Sequence, residues 1–104
     1  MGLISNIVEK TITKHVRLPY FLYLPQDFEK EQSQTWPVVI FLHGAGERGS
    51  DLTLVGKHGL MQQVLEGREF PFIIVAPQCP VDYTWDRSLD ELDCLLAAII
   101  HDYP

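Results

Sequence analysis

The sequence predicts an α/β fold in which parallel strands and helices alternate after an antiparallel start. Two apolar runs, residues 38–42 and 72–76, have no polar face, which is typical of strands buried on both sides of a parallel sheet. The roughly thirty residues between them are enough for a helical crossover. An amphipathic pattern that starts at Leu89 predicts a further helix. The length of 104 residues limits the chain to one domain.

The N-terminal residues 7–24 predict two strands ahead of these runs. Ile12, Val16 and Leu18 recur at even positions with polar residues between them, which is the period of a strand. Residues 20–24 are rich in aromatic and other strand-forming side chains. We therefore expect the fold to begin with antiparallel strands.

The connections between the strands are also marked in the sequence. Residues 26–36 are polar and predict a loop. Between the two apolar runs, a glycine loop is followed by apolar residues at helical spacing, and Gly56 and Gly59 favour two short helices over one long helix. Gly67 lies where a glycine commonly ends a helix.

The last predicted helix has signals at both ends. Ser88 and Glu91 match a capping box, and the helix is expected to run to about Asp102, with Pro104 as its stop. Its predicted apolar face consists of Leu89, Leu92, Leu96, Ile99 and Tyr103.

Composition excludes several classes of function. The net charge is -6, with 14 acidic against 8 basic side chains and no basic run, so no nucleic-acid partner is expected. No apolar run approaches the length of a membrane span, and the N-terminus does not resemble a signal peptide. A cytoplasmic location without membrane contact is the expectation.

The cysteines and histidines do not predict a reactive or metal site. Cys79 is expected to be a buried structural thiol rather than a nucleophile served by His43 or His58, and Cys94 is expected in or near the core of the last helix. The four histidines share no ligand spacing, so no metal is expected.

The loop at residues 43–49, His-Gly-Ala-Gly-Glu-Arg-Gly, directly follows the first buried run. Acyl-transfer enzymes stabilise a negatively charged oxygen with backbone N–H groups held in a rigid, open turn. Glycines allow the backbone to turn sharply and to approach a substrate closely. The position and composition of this loop favour an oxyanion-hole loop.

A second interpretation of the same residues is a dinucleotide fingerprint, because residues 44–49 read G-x-G-x-x-G after a strand. Three features argue against it. Two strands precede the loop, Glu47 would repel a pyrophosphate, and no acidic residue follows the next strand where ribose hydroxyls would bind. A nucleotide-binding or other non-catalytic interaction module remains the alternative.

Residues 37–49 and 70–80, together with Trp85, resemble a group of α/β-hydrolase esterases that includes predicted peptidases, phospholipase/carboxylesterases and dienelactone-hydrolase-like proteins. The resemblance implies a cofactor-independent serine hydrolase that acts on a small acyl ester or peptide-like substrate. It also implies the sheet order 1-2-4-3, in which the missing next strand would pair with the outer edge of residues 38–42.

The resemblance assigns roles to particular loop residues. It implies that the backbone N–H of Ala45 is an oxyanion donor, that Gly44 and Gly46 shape the loop, and that His43 supports the loop and is not the catalytic base. Glu47, Arg48 and Trp85 are the candidates for contact with substrate.

The sequence departs from the family in lacking a catalytic triad. None of its serines, Ser5, Ser33, Ser50 and Ser88, lies in a G-x-S-x-G motif, and the family's acid and base follow that motif. We therefore interpret the chain as a partial α/β-hydrolase domain, the N-terminal half of the sheet, inactive by itself. We also expect it to self-associate through the bare edge of residues 38–42.

Overall fold

The computed structural model describes residues 2–28 and 35–103, which build one mixed sheet with helices on its faces. The polar loop predicted at residues 26–36 therefore falls partly, and Pro104 wholly, outside the described residues. The strands are β1 (Tyr20–Tyr23), β2 (Val38–Ile40) and β3 (Ile73–Pro77), the α-helices are α1 (Gly59–Leu65) and α2 (Leu89–Asp102), and 3-10 helices span Ala45–Glu47, Leu52–Lys57 and Trp85–Arg87.

The strand order within the sheet is β1-β3-β2. β1 is antiparallel to β3, and β2 is parallel to β3. The antiparallel start, the parallel crossover and the insertion of the later strand between the two earlier ones agree with the sequence prediction for these three strands.

The central strand β3 is buried along its whole length, as predicted for a strand covered on both faces. Ile74 and Ala76 point into one core cluster, where they meet Val55 and Met61 from the crossover. The alternate residues of β3 point into a second cluster, which packs against α2. Side-chain alternation along one strand thus joins both helical layers.

The prediction for β2 is wrong in length and in burial. The strand covers three residues rather than residues 38–42, and Ile40 and Leu42 are 38% and 43% exposed. Among the described residues, β2 lies at the edge of the sheet and pairs with β3 alone. A continuous apolar run therefore does not guarantee burial, because burial depends on what covers the strand.

The first of the two N-terminal strands is not formed. Residues 2–19 have no regular secondary structure, and Ile12 is exposed. An isolated strand leaves its backbone groups without ladder partners, and no described strand pairs with residues 2–18. Only the second predicted strand is present, as β1.

The crossover from β2 to β3 contains the two short helices that the glycines predicted. A 3-10 helix at Leu52–Lys57 precedes α1, and α1 ends with Glu66 as its C-cap. Gly67 follows with φ of +97°, the left-handed backbone that glycine adopts most easily.

The helix α2 begins after Ser88 and ends at Asp102, as predicted, but its capping box is not formed. The Ser88 hydroxyl instead donates to the carbonyl of Thr84 at 2.8 Å. The Glu91 carboxylate lies 3.0 Å from the Lys14 ammonium, and this hydrogen bond holds the pKa of Glu91 below its usual value.

The apolar face of α2 also differs from the prediction. Leu95 and Ile99 are buried, whereas Leu89 and Leu96 from the predicted face are exposed. Cys94 is exposed and does not belong to the core. The helix is apolar around more than half of its circumference, so the sequence period did not indicate which part the sheet would cover. None of the described helices is both long enough and apolar enough to cross a membrane.

Candidate functional site

The loop at residues 43–49 lies at the carboxyl ends of two neighbouring parallel strands. It follows β2, and the segment that begins with Gln78 and Cys79 follows β3. In open α/β sheets, the carboxyl ends of parallel strands are where ligand sites form. The strand order places these two segments side by side.

His43 connects the two segments through its ring. The side chain is buried, and its Nε2 accepts a hydrogen bond from the backbone N–H of Cys79 at 2.9 Å. Because Nε2 is an acceptor, the ring proton of neutral His43 lies on Nδ1. Nδ1 faces the carbonyl oxygen of Gly44 at 2.5 Å and donates to it. Both ring nitrogens are thus used in holding the loop.

The bond from His43 to the Gly44 carbonyl orients the next peptide group. The described chain has no cis peptide bond, so the Gly44 C=O and the Ala45 N–H point in opposite directions. With the carbonyl held against the buried ring, the Ala45 N–H points outward. Ala45 begins the 3-10 helix Ala45–Glu47, and its N–H has no acceptor among the described residues.

Trp85 also contacts His43, through its ring and through a hydrogen bond. Its Nε1–H donates to the His43 carbonyl at 3.0 Å, and the two ring centroids are 5.0 Å apart. A small pocket of about 120 Å³ opens here, beside the outward-facing peptide of Ala45. The pocket is lined by His43, Gly44, Ala45, Arg48, Cys79, Thr84 and Trp85.

Arg48 also holds the loop, through two hydrogen bonds from its side chain. Its Nε–H donates to the Ala45 carbonyl at 2.9 Å, and Nη1 donates to the Tyr83 carbonyl at 3.0 Å. Glu47 does not line the pocket; its Oε1 lies 3.9 Å from Nε2 of the exposed His58. Of the three predicted substrate contacts, Arg48 and Trp85 lie at the pocket and Glu47 does not.

Gln78 is a site residue that the sequence analysis missed. Its side chain is 1% exposed, and its Nε2 donates to the carbonyls of Glu47 at 3.0 Å and Asp51 at 2.6 Å. A polar residue directly after a fully buried strand was the available signal, because a buried amide needs nearby partners. Gln78 fastens the C-terminal part of the loop, and the residue that caps the next 3-10 helix, to the end of β3.

The role of the glycines differs from the prediction. Gly44 has extended backbone (φ −80°, ψ −179°), and a Cβ on Gly46 would meet nothing within 4 Å. Neither residue adopts a conformation reserved for glycine. The turn depends on Gly49, which has φ of +143° and whose N–H donates to the Cys79 carbonyl at 3.0 Å. Gly44 and Gly46 leave space beside the pocket.

Asp51 caps the 3-10 helix that follows the loop. It accepts from the Thr53 hydroxyl at 2.6 Å and from the Thr53 N–H at 3.1 Å, and these bonds hold the pKa of Asp51 below its usual value. The N-terminus of the 3-10 helix Leu52–Lys57 is therefore already occupied by a carboxylate. A dinucleotide pyrophosphate would meet negative charge at this position.

Cys79 is buried, and its thiol faces the Ser88 hydroxyl at 3.8 Å. His43 contacts the backbone N–H of Cys79 rather than its sulfur, and this geometry does not form a thiol–imidazole pair. Across residues 2–28 and 35–103, no three His, Cys, Asp or Glu side chains come together as metal ligands would.

Comparison with solved structures finds a likeness to the crystal structure of a thermostable esterase. The two share 28% sequence identity with a TM-score of 0.62, over 83% of this chain and 27% of the esterase chain. The chain thus spans about a quarter of the length of that structure. No protein-family profile and no curated protein matches the sequence. The likeness supports an esterase-like hydrolase fold.

Replacement of Gln78 by Met should loosen the loop. Gln78→Met keeps the length of the side chain but leaves the carbonyls of Glu47 and Asp51 without their donor, which should lower the free energy of unfolding by about 1–3 kcal/mol. Urea unfolding measures this change. The matched control is Gln62→Met on the exposed face of α1, which should change stability by less than about 0.5 kcal/mol. Equal losses in the two variants would contradict the role of Gln78.

Proposed function

We propose that this chain is the N-terminal part of a serine carboxylic-ester hydrolase, that it supplies one oxyanion-hole donor, and that it is inactive by itself. The observation that carries the proposal is the free, outward-facing N–H of Ala45 beside the pocket. The likeness to a thermostable esterase supports the same class of chemistry.

Preorganisation of the Ala45 N–H supports this proposal. Attack on an ester or amide carbonyl converts its oxygen into an oxyanion, and a donor that is already aimed at that oxygen needs no rearrangement during the reaction. His43 holds the carbonyl of the peptide between Gly44 and Ala45, and Arg48 holds the carbonyl of the next peptide, between Ala45 and Gly46. The Ala45 N–H therefore keeps its direction without a substrate present.

The pocket supports a small group beside this donor. Its volume of about 120 Å³ suits the few atoms around a scissile carbonyl rather than a whole cofactor. Trp85 and Arg48 would then contact a small acyl ester or a peptide-like substrate. This role is proposed for Trp85 and Arg48 only, since Glu47 is not among the residues that line the pocket.

The proposed inactivity follows from the absence of a suitable nucleophile. No serine of the sequence lies in a G-x-S-x-G motif. Ser88 is buried, and its hydroxyl is committed to the Thr84 carbonyl. One oxyanion donor stabilises an intermediate only when another group forms it, so the second donor and the triad must come from other residues.

The chain alone should not hydrolyse p-nitrophenyl acetate faster than buffer does. The physical reason is the missing nucleophile and base, and the release of p-nitrophenol measures the rate. The same samples titrated with NAD or ATP should show no saturable rise in melting temperature, which tests the nucleotide-binding alternative. Ester hydrolysis that phenylmethylsulfonyl fluoride abolishes would overturn the proposed inactivity.

The oxyanion role can be tested in a chimera in which this chain replaces the aligned part of the thermostable esterase. Ala45→Pro removes the N–H, and the backbone should tolerate it, because proline suits the first position of a helix and the preceding Gly44 is extended. We expect kcat to fall by about 100- to 1,000-fold.

The matched control is Ala45→Gly, which keeps the N–H and should retain most of the chimera's activity. Circular dichroism and thermal melting of all three chimeras establish that they fold alike. Equal kcat values for the proline and glycine variants would show that this N–H does not serve as the oxyanion donor.

A further inference from the structure

The pocket beside the Ala45 N–H has a closed inner end and an open mouth. Cys79 is 1% exposed and forms the inner end, whereas Gly44 and Thr84 are exposed and lie at the mouth. The surface of the pocket is almost entirely apolar, and both ring nitrogens of His43 are engaged with backbone groups. The pocket therefore suits an apolar group, because a charged group would lose its hydration without gaining a partner.

Two hydrogen bonds hold the walls of this pocket at a fixed separation. The Trp85 Nε1–H donates to the His43 carbonyl at 3.0 Å, and Nη1 of Arg48 donates to the Tyr83 carbonyl at 3.0 Å. Both bonds join the segment that follows β2 to the segment that follows β3. The walls cannot separate to admit a larger group unless such a bond breaks, so the volume of about 120 Å³ limits the size of a bound group.

Gly44 lines the pocket although the backbone at this position does not require glycine. Its φ of −80° and ψ of −179° are open to any residue, and an added Cβ would make only an ordinary contact of 3.5 Å with Oε2 of Glu47. Gly46 is equally free to carry a side chain, since a Cβ there would meet nothing within 4 Å, but it does not line the pocket. The absence of a side chain at Gly44 therefore leaves room in the pocket itself.

The volume of the pocket indicates how large a group can enter. An apolar cavity of about 150 Å³ in a protein interior holds a benzene molecule, with its six carbon atoms. By the same measure, a volume of about 120 Å³ holds about five carbon atoms. A methyl group is about as large as a water molecule, which occupies about 30 Å³ of the liquid. A methyl group on Gly44 would therefore remove the room for about one carbon atom.

We propose that this pocket is the acyl subsite of the proposed hydrolase, and that the missing side chain of Gly44 determines which acyl groups fit. The inference rests on the proposed function, because that function places the substrate carbonyl at the Ala45 N–H. The alcohol of an ester leaves first, whereas the acyl group stays bound until water releases it, so a pocket with a closed inner end suits the acyl group. Apolar acyl groups of up to about five carbon atoms fit the pocket, and longer ones do not.

Hydrolysis of p-nitrophenyl esters of increasing acyl length by the chimera with the thermostable esterase tests the proposal. From acetyl to pentanoyl, kcat/KM should rise about fourfold with each added methylene, because each one buries a further CH₂ group in the pocket. Beyond pentanoyl the rise should stop, because the pocket is full. In the Gly44→Ala chimera the rise should stop one carbon earlier, at butanoyl, because the added methyl group occupies part of the pocket.

The matched control is Gly46→Ala, which adds the same methyl group to the same loop but outside the pocket. In this chimera the rise in kcat/KM should still stop at pentanoyl. Neither alanine should lower the melting temperature, since both positions accept a Cβ and alanine restricts the unfolded chain more than glycine does. A rise that stops at the same acyl length in the parent chimera and in both variants would overturn the role of Gly44.

Binding of primary amides to the chain itself gives a readout that needs no catalysis. Proton–nitrogen spectra of the ¹⁵N-labelled chain should show a saturable shift of the Ala45 N–H, with a dissociation constant that falls from acetamide to pentanamide and falls no further with hexanamide. The absence of a saturable shift with every amide would overturn the subsite. Failure of the proposed function is seen separately, as equal kcat values for the Ala45→Pro and Ala45→Gly chimeras at every acyl length.

Discussion

The hydrogen bond from the Cys79 backbone to the ring of His43 is the contact on which the candidate site depends. It joins the segments that follow β2 and β3, and it determines which ring nitrogen carries the proton. That proton holds the Gly44 carbonyl inward, and the planarity of the peptide then turns the Ala45 N–H outward. The direction of a single backbone donor is thus set by one buried side chain.

The central strand makes this contact possible. β3 is paired on both edges and covered on both faces, so the positions of Gln78 and Cys79 just beyond it are well defined. Gln78 holds the carbonyls of Glu47 in the loop and of Asp51 just beyond it. Cys79 supplies both an N–H to His43 and a carbonyl to Gly49. Preorganisation of the loop is therefore a property of the sheet core rather than of the loop residues alone.

The features that sequence could predict are those that depend on local pattern. The apolar run of β3, the glycines of the crossover and the ends of α2 each follow from residue type and spacing. The burial of β2 and the buried face of α2 could not be predicted, because both depend on which elements pack against them. Ile40 and Leu96 are as apolar as Ile74, yet only Ile74 has neighbours on every side.

The candidate site likewise has some features that local sequence predicts and others that depend on the fold. The glycines of the loop and its place after a strand predicted an oxyanion-hole loop, but the sequence did not predict the hydrogen bonds that hold the loop in place. Gln78 acts through two carbonyl groups that are distant in sequence, and the requirement for glycine lies at Gly49 rather than at Gly44 or Gly46. Backbone groups have no sequence signature, so interactions with them emerge only from the fold.

The central contact can be measured directly from the tautomer of His43. Two-bond proton–nitrogen correlation spectra of the ¹⁵N-labelled chain at neutral pH distinguish the protonated from the unprotonated ring nitrogen, with the exposed His15 as an internal reference. We predict a single tautomer for His43, with the proton on Nδ1 and none on Nε2. A proton on Nε2 would contradict it, because the Cys79 N–H would then have no acceptor and the peptide of Ala45 would lose the contact that orients it.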